Sequence, residues 1–149
     1  MRILAVDDDP VFLELLAGML KAIGYGHVTT VGTAEQALHE VDTSNHVYDC
    51  ILSDMQMPGL DGTALTTAIR LRTAYRQTPI LMITALAGKN FVDEAFTAGA
   101  TDYITKPFRK AELIARVRTH LALKTSREAR QAAEQIGRQR AELSPAPPP

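Results

Sequence analysis

Five short apolar runs, each followed by a segment with helical spacing, decide what this chain can fold into. The runs cover residues 2–7, 27–31, 49–53, 79–84 and 101–105. The helical segments cover 10–23, 33–41, 63–74 and 90–98, and a last, long one starts at 109. Strict alternation of strand and helix predicts right-handed crossovers and an α/β fold with a parallel sheet covered on both faces. The unbroken Ile80-Leu81-Met82-Ile83 suits a strand buried on both sides. Asp9-Pro10 reads as an N-cap followed by proline at the first helical position. Thr33 with Gln36 reads as a capping box. The first helix places Val11, Leu15, Ala17, Met19, Leu20 and Ile23 near helical spacing. Pro58-Gly59-Leu60-Asp61-Gly62 reads as a turn that Asp61 helps to shape.

A length of 149 residues suits one domain with a real core, and 46% hydrophobic with 22% charged residues is ordinary for a globular protein. Cys50 is the single cysteine, so no internal disulfide can form, which fits a reducing, cytoplasmic compartment. Cys50 itself reads as an inert core thiol. No run approaches the roughly 18 apolar residues of a membrane span, so no membrane partner is expected. The net charge of -1 conceals an asymmetry. Residues 1–115 carry 9 basic and 14 acidic side chains, whereas 116–149 carry 7 and 3.

The last helix is expected to pack through Leu113, Ile114, Val117 and Leu121. Beyond Lys124 the apolar stripe thins, and 124–143 reads as a helical extension or linker. Ala129, Ile136 and Leu143 recur every seven residues, as a coiled-coil seam would. The end, 144–149, is Pro-rich and expected to be extended or disordered. The basic tail holds no aromatic residue, and nucleic acid is not expected as a partner. His27, His39, His46 and His120 show no ligand spacing and are expected on the surface.

In an open parallel sheet, sites form beyond the carboxyl ends of the strands. Four of the five ends carry chemistry: Asp7, Asp8 and Asp9 at the first, Asp54 at the third, Thr84 at the fourth and Lys106 at the fifth. If the first and third strands are neighbours, Asp7, Asp8 and Asp54 crowd together, and a cation must offset their repulsion. Few carboxylates, with room for water and phosphate oxygens, suit Mg²⁺ better than Ca²⁺. Lys106 adds a fixed positive charge and Thr84 a hydroxyl donor. Such a set suits phosphoryl transfer to a carboxylate nucleophile. Asp54 is that nucleophile, because it stands alone at its strand end before an exposing turn. Gln56, two residues on, can offer its backbone carbonyl to the metal.

These residues fall within four ordered segments: Ile3-Leu4-Ala5-Val6-Asp7-Asp8-Asp9, Ile51 through Gly62, Ile83-Thr84-Ala85, and Tyr103-Ile104-Thr105-Lys106-Pro107-Phe108. Together they resemble the receiver domain of two-component response regulators over residues 1–123. The resemblance implies a flavodoxin-like three-layer sandwich with strand order 2-1-3-4-5. It implies that Asp54 accepts a phosphoryl group from a phosphohistidine of a sensor histidine kinase or phosphotransfer protein. Asp8 and Asp54 would then hold Mg²⁺ with the Gln56 carbonyl, and Asp7 mostly through water. Lys106 would pair with the phosphoryl oxygens, Thr84 would turn toward them, and Tyr103 would follow as the switch aromatic. The Lys106-Pro107 peptide would be cis. Gln56 and Leu86 would flank the path of an attacking water and tune the phosphoryl lifetime. The output surface, formed by the fourth helix, fifth strand and fifth helix, would engage a downstream effector protein. Such a module is a signalling switch with only self-directed chemistry. The family's usual C-terminal output domain is not found in 124–149, which would serve dimerisation or the docking of a partner, or belong to a linker leading to an effector domain.

Two other readings compete. Asp7-x-Asp9-Pro10-Val11 also fits the nucleophile motif of haloacid-dehalogenase-type phosphohydrolases, with Asp7 attacking and Asp9 as general acid. That reading lacks an acidic pair after Lys106 and leaves Asp54 unexplained. A receiver-like module that binds partners without phosphorylation is the other, and the intact Asp7, Asp8, Asp54, Thr84 and Lys106 set argues against it.

Overall fold

The computed structural model describes residues 1–143; the Pro-rich end expected at 144–149 lies outside the described residues. The chain order is β1 (Arg2–Val6), α1 (Pro10–Ala22), β2 (His27–Val31), α2 (Ala34–Thr43), β3 (Cys50–Ser53), α3 (Gly62–Arg70), β4 (Ile80–Thr84), α4 (Lys89–Ala98), β5 (Asp102–Thr105) and α5 (Lys110–Leu143). The strands form one sheet in the order β2-β1-β3-β4-β5, every neighbouring pair parallel.

Side chains alternate across a strand, and β1 accordingly feeds both faces of the sheet. Ile3 and Ala5 point into one layer with Leu13, Leu16 and Leu20 of α1 and Leu113, Val117 and Leu121 of α5. Leu4 and Val6 point into the other, with Ala34, Ala37 and Val41 of α2 and Leu65 and Ile69 of α3. Met82 of β4 and Ala95 of α4 complete a third cluster with Met55. The result is a flavodoxin-like three-layer sandwich. Cys50 lies fully buried in it, and burial pushes its thiol up to about 12.

The helix starts obey their caps. Asp9 accepts from the Val11 and Phe12 amides. Thr33 accepts from Gln36 N, while the Gln36 side chain reaches back to Gly32 N instead of the cap's own amide. Asp61 does more than shape a turn: it caps α3, accepting from Ala64 N at 2.8 Å.

Several local expectations change. In α1 the buried residues are Leu13, Leu16 and Leu20, while Val11 and Leu15 are 74% and 59% exposed. Apolar residues surround this helix on several sides, so spacing alone does not choose the face. The third helix stops at Arg70 instead of continuing to 74, and a separate 3₁₀ turn covers Thr73–Tyr75. An uninterrupted helix would carry Tyr75 about 120° away from the buried face of Ile69. The break instead buries Tyr75, whose hydroxyl accepts from Tyr48 N. The Arg70 guanidinium fastens the break by donating to the carbonyls of Tyr75, Thr78 and Gly99. His120 is not a free surface residue: its Nε2 lies 2.9 Å from Asp102 Oδ2, half-buried between β5 and α5. Ile114 is only partly buried.

The long helix is continuous from Lys110 to Leu143. Its extension is tied to the far end of the sheet by Lys124, which reaches Asp49, and by Arg127, which donates to the Gln77 carbonyl. From Thr125 onward every described residue of α5 is exposed.

Burial raises the Asp102 carboxyl, but the bonds from His120, Tyr103 N and Arg116 outweigh it and hold the group below 3.8. The charged form is therefore favoured by the fold, and its contribution is complete above that pH and lost as the pH falls through the folded value. Asp102→Asn is expected to lower unfolding stability by about 1–2 kcal/mol at neutral pH. Urea titrations at a series of pH values should show the gap closing below 3.8.

Candidate functional site

The rim of the sheet is assembled by register. Val6 of β1 pairs with Val31 on one side and Ser53 on the other. The next residues therefore emerge together: Asp7 N donates to Val31 O and Asp54 N donates to Val6 O. Thr84 pairs with Thr105, and Lys106 N donates to Thr84 O. Parallel strands thus deliver side chains from four stretches of chain to one edge.

There Asp7, Asp8 and Asp54 each present a carboxylate oxygen, all within 4.8 Å of one another. Lys106 Nζ lies 2.7 Å from Asp7 Oδ2 and 3.5 Å from Asp54 Oδ2. Asp7 is only 2% exposed, whereas the Asp54 side chain is 12% exposed and Asp8 is open to solvent. Asp7 Oδ1 also accepts from Asp9 N, and Asp54 Oδ1 accepts from Gln56 N. Burial raises the Asp7 carboxyl; the Lys106 and Asp9 bonds pull it back and the Asp54 charge pushes it up again, leaving it above 3.8.

Thr84 is buried, and its Oγ1 accepts from Leu86 N at 3.3 Å. Tyr103 is half-buried, donating its hydroxyl to Leu86 O at 2.5 Å beside Met55 Sδ. Burial, then the charges of Asp54 and Glu94, raise the Tyr103 phenol above 10. The Lys106-Pro107 peptide is cis. The structure thus brings Asp7, Asp8, Asp54 and Lys106 into direct proximity and links Thr84 and Tyr103 through the Leu86 backbone. Gln56 touches Asp54 through its amide, and its side chain is exposed.

Two residues escape a reading of the sequence. Phe12 lays its ring against Lys106, with Nζ 3.9 Å from the centroid; in the sequence it is one more apolar residue of a helix. Gly62 has a turn signal, but the reason for it is packing: its amide donates to Met55 O, and a Cβ there would strike the Asp54 carbonyl and Met55. A side chain at that position would displace the loop that carries Asp54.

Three hard carboxylate donors around one small space, beside a peptide chain that supplies carbonyl oxygens, fit a small divalent cation such as Mg²⁺.

Comparison with known proteins places the fold. Residues 3–118 match the response regulator receiver domain, and the chain belongs to that family. The two-component response regulator ARR12 of Arabidopsis thaliana is 37% identical over 113 residues, which make up 76% of this chain and 18% of that protein. The transcriptional regulatory protein YvrH of Bacillus subtilis (strain 168) is 36% identical over 119 residues, 80% of this chain and 48% of that protein. The chain therefore spans less than half the length of these relatives. Among solved structures, a CheY-like response regulator receiver domain protein from Methanospirillum hungatei JF-1 superposes with a TM-score of 0.76 at 29% identity, covering 85% of this chain and 97% of that one. The receiver domain of sensor histidine kinase PA1611 from Pseudomonas aeruginosa PAO1, solved with a magnesium ion coordinated in its active site cleft, gives a TM-score of 0.73 at 36% identity, covering 81% and 97%. Receiver domains are signalling switches of two-component systems, and the haloacid-dehalogenase alternative is set aside with this assignment. Among the described residues no helix is long and apolar enough to cross a membrane.

A carboxyl held above its ordinary range costs stability while it is charged, and the cost is relieved as the pH falls through the raised value. Asp7→Asn is therefore expected to stabilise the metal-free protein at neutral pH, by the ~2–4 °C that 1 kcal/mol yields at this chain length. Calorimetry in the presence of a chelator should show the gain at pH 7 and its shrinkage on mild acidification.

Proposed function

We propose that this chain is a phosphorylation-activated receiver in which Asp54 accepts a phosphoryl group from a phosphohistidine of a sensor histidine kinase or phosphotransfer protein. The observation that carries the reading is the meeting of Asp7, Asp8 and Asp54 within 4.8 Å, with the Lys106 ammonium against two of them. Asp54 is the nucleophile because it is more open than Asp7, which Lys106 and Asp9 N hold in place. An Asp54 carboxylate oxygen forms a bond to phosphorus as the phosphorus–nitrogen bond of the donor breaks, and the departing imidazole nitrogen keeps the electron pair. The product is an acyl phosphate on Asp54.

Asp8, Asp54 and the Gln56 carbonyl would hold Mg²⁺, with Asp7 supporting them. When bound, the ion neutralises charge on the phosphoryl oxygens. Lys106 supplies a second positive charge beside Asp54. Thr84 exchanges its bond with Leu86 N for one to the phosphoryl group, and Tyr103, tied to Leu86 O, responds to that change. The bias needed is a few kcal/mol between two surface states. Gln56 and Leu86 flank the water that later hydrolyses the acyl phosphate.

The receiver unit comprises 1–123, and 124–143 forms a helical extension that serves a partner or a second copy. The switched face of α4, β5 and α5 engages a downstream effector protein, with the whole chain acting in the cytoplasm.

With Mg²⁺ and a radiolabelled small phosphodonor, the unsubstituted protein should acquire a label that base and hydroxylamine release. Asp54→Asn should lose the label while keeping its circular dichroism spectrum, and Lys106→Ala should still be labelled, though more slowly, and respond weakly at the switched face. Label at normal stoichiometry in Asp54→Asn would refute the assignment.

A further inference from the structure

We infer that Phe12 is a positioning residue for Lys106, holding the ammonium at the carboxylates of the site through its ring face. The inference rests on the proposed phosphorylation at Asp54 and adds a residue to it.

A lysine side chain is a flexible four-carbon stem and loses much freedom when fixed. Two carboxylates draw the Lys106 ammonium from one side, at 2.7 and 3.5 Å. On another side is the Phe12 ring, with its centroid 3.9 Å from Nζ. A cation at that distance from a ring face is attracted by its quadrupole. The ring offers no lone pair to draw the N–H donors away from the acids.

Phe12 is itself fixed. Phe108, two residues beyond Lys106, meets it edge to face with centroids 6.1 Å apart at 83°. Both rings border the core layer of α1 and α5. The Asp9 side chain accepts from Phe12 N, and the Asp9 amide donates to Asp7 Oδ1. One helix cap therefore sets both the ring and the carboxylate between which Lys106 lies.

The kind of contact matters for the chemistry. On phosphorylation the lysine has to shift its bonding from Asp7 toward new oxygens on Asp54. A hydrogen-bonding neighbour would have to be broken for that shift, whereas an ammonium can slide over a ring face with little change in attraction. Phe12 thus steadies Lys106 without trapping it.

The test is a double-mutant cycle read with acetyl phosphate, a donor too small to depend on a docking surface, at saturating Mg²⁺ for each variant. Phe12→Leu is expected to slow labelling of Asp54 about five-fold, and Phe12→Trp to restore it. In a Lys106→Ala background, Phe12→Leu should have no further effect. Equal slowing in both backgrounds, or none in either, would overturn the inference, since a merely structural residue acts regardless of Lys106. A second readout needs no chemistry: in the metal-free protein the Lys106 Hε protons should show an upfield ring-current shift that Phe12→Leu removes. Absence of that shift also overturns the inference. Failure of the unsubstituted protein to be labelled would refute the proposed function instead, and the Lys106 shift would then decide the contact alone.

Discussion

Three carboxylates that repel one another share the end of this sheet, and the Lys106 ammonium is the charge within the chain that lets them do so. The arrangement is not local. It needs β1 beside β3 in the observed register, so that Asp7 and Asp54 emerge side by side. It needs β5 at the edge beyond β4, so that Lys106 reaches back across the rim. The two apolar layers are what hold those strands in place, so the core and the site answer to one topology.

Burial, more than the neighbouring charge, raises the carboxyl of Asp7, the most buried of the three acids. Asp54 is more open and carries fewer bonds, which suits the reaction proposed for it. The surrounding loop is kept close by Gly62, whose missing side chain lets α3 begin directly against the Asp54 backbone. Tyr103 and Thr84 converge on a single residue, Leu86, the link through which the proposed switch would run.

Much of this was legible in the residues. Strand ends could be read because apolar runs stop abruptly at Asp7, Asp54 and Lys106, and helix starts because Asp9 and Thr33 have the chemistry of caps. The strand order came from the family resemblance. The missed features depend on partners distant in the chain. The buried face of α1 is chosen by the sheet beneath it, since its own residues are apolar on several sides. The end of α3 is chosen by Tyr75 finding Tyr48. His120 gains its role only when Asp102 lies opposite, and Phe12 only when Lys106 does. None of these pairs leaves a periodic trace.

The length of α5 has a mechanical consequence. Packing against the core ends at Leu121, and 22 further described residues project beyond it, a rod of roughly 33 Å at the ordinary helical rise. Such a rod is a lever whose fulcrum lies where Lys124 and Arg127 grip the base of the body. A tilt of about 5° there would sweep the distal tip, roughly 24 Å beyond Arg127, through ~2 Å, so an adjustment too small to rearrange the sandwich becomes a displacement on the scale of an atomic contact at the far end.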